Sequence, residues 1–87
     1  MKILFAKRMM KQYWKLRDTE RRRVDDAIAL FRQDPFAPSL HNHALKGRQK
    51  SRRSLSAGFD LRIIFEERDH YMVIMMLAVG THEEVYE

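Results

Sequence analysis

The fold of this chain is decided by the stretch from Phe59 to Gly80, which reads FDLRIIFEERDHYMVIMMLAVG. Apolar and polar side chains alternate from Phe59 to Phe65, as they do in a strand with one buried face. Tyr71 to Val79 is apolar at nearly every position, which is typical of an interior strand covered on both faces. The charged residues between these segments predict a turn. The stretch therefore predicts two neighbouring strands that end at Gly80.

The residues before this stretch predict a short strand and two helices. Lys2 to Phe5 is a candidate strand, and Ala6 to Leu16 places apolar residues at helical spacing opposite a lysine- and arginine-rich face. A second helix, capped by Asp18 or Thr19, ends where Asp34 precedes Pro35. The two helices are then joined by a tight turn.

The remaining segments complete the architecture. Pro35 to Lys46 predicts a loop that is long enough to be suspected of function. Arg52 to Ala57 predicts a further strand, Gly58 a turn or bulge, and Thr81 to Glu87 a final helical turn at most. We therefore expect residues 1–87 to form one α+β domain, with a short N-terminal strand and a two-helix hairpin. A three-strand antiparallel meander completes its mostly antiparallel sheet.

Composition excludes several classes of protein. The chain has 87 residues and no cysteine, so disulfide scaffolds, thiolate zinc sites and cysteine nucleophiles are excluded. The longest apolar run is far shorter than the ~20 residues that a membrane span needs. Charge follows the apolar start at once, unlike a signal peptide. We expect a soluble, cytoplasmic protein with no membrane partner.

The charge is distributed unevenly along the chain. The net charge is +5, but residues 1–59 are strongly basic and residues 60–87 are acidic. Five cations crowd into residues 46–53: Lys46, Arg48, Lys50, Arg52 and Arg53. Such a patch supplies affinity for a polyanion through phosphate contacts. A solvated charged face explains the same residues about equally well.

The candidates for chemistry are the four histidines, because the sequence has no phosphate-binding loop, metalloprotease motif or nucleophile elbow. His41 and His43 lie beside the basic run, His82 follows the last predicted strand, and His70 is expected to be an exposed residue at a strand start. The H-x-H spacing is compatible with a metal, but the surrounding cations repel one. We therefore predict no metal and no cofactor. Each histidine taken alone is better explained as a loop or capping residue.

Taken together, the residues fit cleavage of RNA without a metal. A base removes the proton of the ribose 2′-OH, an acid protonates the leaving 5′-oxygen, and cations stabilise the charge that develops between them. His43 and His82 would share the acid and base roles in either order. Arg53 would stabilise the phosphate and Asp60 would orient a partner, although an exposed strand aspartate paired with Arg62 is the simpler explanation of Asp60.

The order of these residues resembles a known family. The runs HNHALKG at residues 41–47, GFDLRIIF at 58–65 and VGTH at 79–82, with Arg53 and Tyr86, resemble the YafQ-like branch of the RelE/ParE toxin superfamily. The resemblance spans residues 40–86, and the helices agree in pattern only. It implies a RelE-like fold and a toxin of a bacterial type II toxin–antitoxin system. Such a toxin is a ribosome-dependent mRNA interferase, an endoribonuclease that cuts mRNA in the 30S A site and is neutralised by a cognate antitoxin. It would contact DNA only through the antitoxin.

The resemblance also implies residue roles. By position, His43, Asp60, His82 and Tyr86 match functional places in the family pattern, and Arg53 matches an arginine ahead of the aspartate. Tyr86 is a candidate for stacking on a base, or alternatively a residue tucked into the edge of the core. The residues that we predict to bind RNA are Lys46, Arg48, Lys50, Arg52, Arg62 and Tyr86.

Two departures from the pattern leave alternatives open. Ser56 stands where related toxins often have a histidine, and its hydroxyl is neither an acid nor a base near neutral pH. Leu61 stands where some relatives have an aromatic residue. One alternative is a ParE-like toxin that binds DNA gyrase without nuclease activity, although such a toxin lacks the catalytic histidines. The other is an inactive remnant that only binds its antitoxin.

Overall fold

The computed structural model describes residues 1–86. They form the elements β1 (Lys2–Phe5), α1 (Lys7–Lys15), α2 (Asp18–Gln33), β2 (His43–Ala44), β3 (Arg53–Ser56), β4 (Leu61–Arg68), β5 (Val73–Thr81) and α3 (His82–Tyr86). Two short 3₁₀ turns lie at Pro38–Leu40 and Gly47–Gln49. None of the helices described combines the length and the apolar character that crossing a membrane requires.

The five strands form one sheet in the order β1-β5-β4-β3-β2. β1 pairs with β5 in parallel, and every other neighbouring pair is antiparallel. The prediction of an α+β fold with a mostly antiparallel sheet is confirmed. β5 lies between β1 and β4, as its nearly continuous apolar run predicted. β2 is an addition, since the segment that contains it was predicted to be a loop.

The two long helices cover one face of the sheet. The fully buried side chains on this side include Met9, Val24 and Phe31 from the helices and Leu55, Ile63, Phe65, Ile74 and Met76 from the strands. The Phe31 and Phe65 rings meet edge to face with their centroids 5.1 Å apart. Burial of each such side chain contributes roughly 1.5–3 kcal/mol, so this layer is the main source of stability.

The opposite face of the sheet carries α3. Val85 of this short helix is buried against Ile64 of β4 and Ala78 of β5. Because α3 follows β5 directly, residues 82–86 fold back onto β4 and β5. This packing fixes the position of the side chains that α3 presents to solvent.

The turn before β4 differs from the prediction. Gly58 and Phe59 have positive φ angles of 83° and 22°, and the Leu61 N–H donates to the Gly58 carbonyl oxygen at 3.0 Å. The chain therefore reverses here, and β4 begins at Leu61 instead of Phe59. The prediction that Asp60 lies in the strand is wrong, because it belongs to this turn and is exposed.

Two further boundaries differ from the prediction. β4 extends to Arg68, so His70 lies in the following turn instead of at a strand start, although it is exposed as expected. The residue at the N-cap of α2 is Arg17, one before Asp18. The Arg17 N–H donates to Glu20 Oε1 at 3.0 Å, and this bond holds the pKa of Glu20 below its usual value. The glutamate side chain thus satisfies the backbone N–H of the N-cap residue, as in a capping box.

Candidate functional site

An open groove of about 590 Å³ lies where α3 and β2 meet the lysine- and arginine-rich loop that joins β2 to β3. The residues that line it are His43, Leu45, Lys46, Arg48, Gln49, Arg62, His82 and Tyr86. Both candidate histidines, three of the predicted cations and the predicted aromatic residue are therefore brought together. The groove is open on one side, which suits an extended charged ligand better than a small enclosed one.

One wall of the groove is α3, whose start is fixed by hydrogen bonds to the end of β5. The Thr81 N–H donates to Glu84 Oε1 at 2.8 Å, and the Glu84 N–H donates to Thr81 Oγ1 at 3.4 Å. Gly80 permits this close approach, since a Cβ there would lie 3.0 Å from Glu84 Oε1. His82 and Tyr86 are four residues apart on the helix and share one side of it. Their rings meet edge to face with the centroids 4.2 Å apart.

The last turn of α3 is tied to two other elements. The Tyr86 hydroxyl donates to Ser54 Oγ on β3, and Ser54 is fully buried. Gln49, in the loop that carries the cations, donates from Nε2 to the Val85 carbonyl oxygen at 3.3 Å. The loop, β3 and α3 are thereby held together around the groove.

His43 makes a backbone contact that favours one of its two tautomers. Its Nδ1 lies 2.7 Å from the carbonyl oxygen of His41. A carbonyl oxygen only accepts, so Nδ1 carries the hydrogen of this bond and Nε2 of the neutral ring keeps a free lone pair. His43 is exposed, and so is His82. Sequence reasoning left open which histidine is the base, and this bond gives His43 the geometry of one.

The cations of the groove are available to a ligand. Within residues 1–86, no ion pair involves Lys46, Arg48 or Arg62. Arg62 donates from Nη1 to the carbonyl oxygens of Phe59 and Leu61, each at 2.9 Å, so these bonds leave Nε and Nη2 free for an anion. The expected pairing of Arg62 with Asp60 is not made. The groove is therefore a concentrated positive field.

Arg53 lies away from the groove. Neighbouring residues of a strand point to opposite faces, and Ser54 points towards Tyr86. Arg53 instead donates from Nε to Asn42 Oδ1 at 2.9 Å, and its guanidinium lies over the Phe36 ring at 5.8 Å from the centroid. Asn42 lies between His41 and His43. Arg53 is thus placed to hold the loop that carries His43.

The other predicted site residues outside the groove are Asp60, Lys50 and Arg52. Asp60 is exposed in the turn before β4. Lys50 is also exposed, beside the groove-lining loop but not among its lining residues. Arg52 pairs with Glu66 of the neighbouring strand at 3.6 Å. This pairing depends on the register of β3 and β4, which spacing in the sequence did not reveal.

Sequence reasoning missed three residues of the site. Leu45 and Gln49 line the groove, and Ser54 accepts a hydrogen bond from the Tyr86 hydroxyl. No local signal marks Gln49 or Ser54, because their partners on α3 are more than 30 residues away. Within residues 1–86 there is no group of three or more histidine or acidic side chains placed to hold a metal ion.

A family model described as a bacterial toxin of type II toxin–antitoxin system, YafQ, matches residues 1–87. The chain belongs to this YafQ toxin family. The recognition made from the sequence is confirmed, and the chain is a toxin of the type II toxin–antitoxin class. No curated protein sequence matches it.

Solved structures of the YafQ and RelE toxins share the fold. The DinJ–YafQ toxin–antitoxin complex from E. coli has a TM-score of 0.79 at 17% identity and covers 98% of this chain and 96% of that chain. YafQ from E. coli strain BL21(DE3) has a TM-score of 0.78 at 15% identity, with coverage of 98% and 97%. An archaeal RelE–RelB complex from Pyrococcus horikoshii OT3 has a TM-score of 0.74 at 18% identity, with coverage of 92% of each chain. The predicted RelE-like fold is therefore confirmed.

Proposed function

We propose that this YafQ-family toxin is an endoribonuclease that cuts mRNA on the ribosome, in the 30S A site, by metal-independent acid–base catalysis. The observation that carries the proposal is the convergence of two histidines, three cations and one aromatic ring on a single open groove. Binding and cleavage of a single-stranded RNA require these three kinds of group. Cations bind the phosphates, an aromatic ring stacks on a base, and acid and base residues transfer the protons of the ribose reaction.

The tautomer of His43 supports a division of labour between the histidines. His43 Nε2 accepts the proton of the ribose 2′-OH, and the 2′-oxygen attacks the adjacent phosphorus. The bond from phosphorus to the 5′-oxygen of the next nucleotide breaks, and His82 in its protonated form supplies a proton to that leaving oxygen. The products are a 2′,3′-cyclic phosphate and a 5′-hydroxyl. Arg62, with Lys46 and Arg48, stabilises the negative charge on the phosphate.

Tyr86 and Arg53 take supporting roles in this proposal. Tyr86 stacks on a base and also packs against His82. Arg53 acts through Asn42, which it holds by a hydrogen bond, and so positions His43 instead of contacting the phosphate. Asp60 is exposed outside the groove, so we leave it out of the chemical step.

The decisive experiment is primer extension on mRNA from cells in which the toxin is induced. We expect cleavage at defined codons and growth arrest. A general acid or base contributes about 10²- to 10⁴-fold in rate, so His82→Ala and His43→Ala should each abolish cleavage and toxicity. His70→Ala is the control, because His70 lies in the β4–β5 turn and should remain fully toxic.

Each other result points to a different function. Growth arrest with intact mRNA and broken chromosomal DNA would indicate a ParE-like gyrase toxin. Neither arrest nor cleavage would indicate a remnant that binds its antitoxin, a reading for which Ser56 is the motivating residue. If His82→Ala still cuts at the same codons, the acid role of His82 is wrong and catalysis rests on His43 and the cations.

The proposal includes a cognate antitoxin as the partner. The DinJ–YafQ and RelE–RelB complexes of related toxins support such a partner. Because the groove is cationic, we expect the antitoxin to cover it with an acidic segment that folds on binding and blocks access of RNA. A crystal structure of the complex tests this. Residues 43–53 left open to solvent in that structure would contradict the expectation.

A further inference from the structure

The turn between β3 and β4 presents an aromatic ring to solvent. Phe59 is 85% exposed, the highest value among the large apolar side chains described. Its φ angle of 22° lies in a region that residues other than glycine rarely adopt. The mechanism proposed above gives this ring no role. Strained residues of this kind cluster at functional sites.

An arginine lies over this ring. The guanidinium carbon of Arg23, which comes from α2, is 5.3 Å from the centroid of the Phe59 ring. The stem of Arg23 packs against Gly58, where a Cβ would lie 3.0 Å from Arg23 Cδ. Gly58 therefore allows α2 and the turn to approach closely enough to bring the two flat groups together. A guanidinium facing an exposed ring offers two flat surfaces for stacking.

The ring is connected to the groove through Arg62. Arg62 lines the groove, and its Nη1 also donates to the Phe59 carbonyl oxygen at 2.9 Å. A pocket of about 270 Å³ is lined by Gly58 of this turn and by Arg23, and Asp26, Ser39 and Ser56 are among its polar lining residues. These groups can donate to or accept from the edge of a base. An RNA strand bound to Arg62 would therefore pass close to the turn that carries Phe59.

We propose that Phe59 and Arg23 form a stacking site for one unpaired nucleobase that flanks the scissile phosphate. This inference rests on the proposed ribonuclease function and names a further contact of the same substrate. Aromatic and guanidinium planes are the groups that hold unstacked bases of single-stranded RNA. The positive charges of Arg23, which lies over the ring, and of Arg62, which donates to the Phe59 carbonyl oxygen, favour RNA over an apolar partner.

The test is the affinity of the folded toxin for an uncleavable 2′-O-methyl RNA oligonucleotide, both free and on ribosomes programmed with it. Phe59→Leu keeps an apolar side chain and removes the aromatic face. We expect it to weaken binding roughly 5- to 100-fold, the equivalent of about 1–3 kcal/mol for one stacked base.

The matched control is Trp14→Leu. Trp14 is also an exposed ring, at 66%, and it also lies beneath an arginine, Arg21, at 5.6 Å. It does not line the groove, so this variant should bind within about twofold of the wild type. A second series places an abasic nucleotide at each position around the cleavage site. At the stacked position, wild type and Phe59→Leu should bind equally, and elsewhere the difference should persist.

The outcomes separate this inference from the proposed function. Phe59→Leu binding as tightly as Trp14→Leu at every position would overturn the stacking site and leave the cleavage mechanism standing. A wild-type toxin that neither binds the RNA nor cuts mRNA would overturn both. A Phe59→Leu variant that binds RNA normally but no longer co-purifies with the antitoxin would reassign the ring to a protein contact.

Discussion

Ser54 illustrates how a single side chain can position a functional one. Within residues 1–86 it is the one polar residue that is buried, and its hydroxyl accepts a hydrogen bond from Tyr86. Tyr86 in turn packs edge to face against His82. A buried polar group that loses its hydrogen-bond partner destabilises the protein, because no hydrogen bond then offsets the free energy of removing the group from water. Ser54 thereby fixes Tyr86 and one side of His82.

A double-mutant cycle tests this pair. Ser54→Ala and Tyr86→Phe should each lower the free energy of unfolding by about 1 kcal/mol, since each leaves one hydroxyl or its partner site without a bond. The double variant should cost less than the sum of the two, because both polar groups are then gone. Urea unfolding measures all four proteins. Strict additivity would mean that the two hydroxyl groups do not interact.

At the scale of elements, the turn that joins β4 and β5 carries unusual backbone strain. Asp69, His70 and Tyr71 are consecutive residues with φ angles of 54°, 54° and 70°. This left-handed conformation brings the side chain too close to the following carbonyl oxygen in residues other than glycine. Tyr71 offsets the strain by packing against Phe31 and Phe65. His70 is exposed and has no such compensation.

His70→Gly should therefore stabilise the protein by about 1 kcal/mol, because glycine adopts positive φ without the steric penalty. Tyr71→Gly relieves the same strain but loses the aromatic packing, so it should destabilise by roughly 2 kcal/mol. Thermal unfolding of both variants measures the difference. His70→Gly should also keep full toxicity, since β5 separates this turn from His82. A less stable His70→Gly protein would show that the turn is not strained.

At the scale of the molecule, the tertiary structure selects which cations act together. The sequence placed five of them within residues 46–53, and Lys50, Arg52 and Arg53 were candidates for the phosphate contacts. Arg52 is paired with Glu66 and Arg53 is bound to Asn42 on the other side of the sheet. The groove instead combines Lys46 and Arg48 with Arg62, which comes from a separate strand.

The salt dependence of RNA binding should follow this selection. Each phosphate contact on a single strand adds about −0.7 to the slope of log affinity against log salt, so replacing Lys46, Arg48 and Arg62 by glutamine should flatten the slope by about 2. Replacing Lys50, Arg52 and Arg53 in the same way should change it much less. Binding titrations across a series of salt concentrations compare the two triple variants. If the second triple flattened the slope more, the RNA would lie outside the groove.

The sequence alone determined most of the secondary structure and the type of sheet, and it missed β2. Periodic burial is a local property, so the alternation before Phe65 and the apolar run of Tyr71–Val79 predicted β4 and β5 to within two residues. The helix pair was predicted for the same reason. The errors occur at boundaries such as Asp60 and Arg17. At these positions, backbone angles and hydrogen bonds between nearby residues decide where an element begins, and the apolar–polar pattern does not show them. The positive φ angles of Gly58 and Phe59, which reverse the chain before β4, are an example.

The tertiary structure decided which of the candidate residues meet. His43 and His82 were predicted from the sequence and do line one groove, whereas Arg53 and Asp60 do not. Arg53 is excluded because successive residues of β3 face opposite sides of the sheet, and the side that carries α3 receives Ser54. Gln49 and Ser54 were invisible in the sequence because their bonds to α3 join residues more than 30 positions apart. Contacts of that separation depend on strand register and on the packing of α3, and no local pattern of residues encodes them.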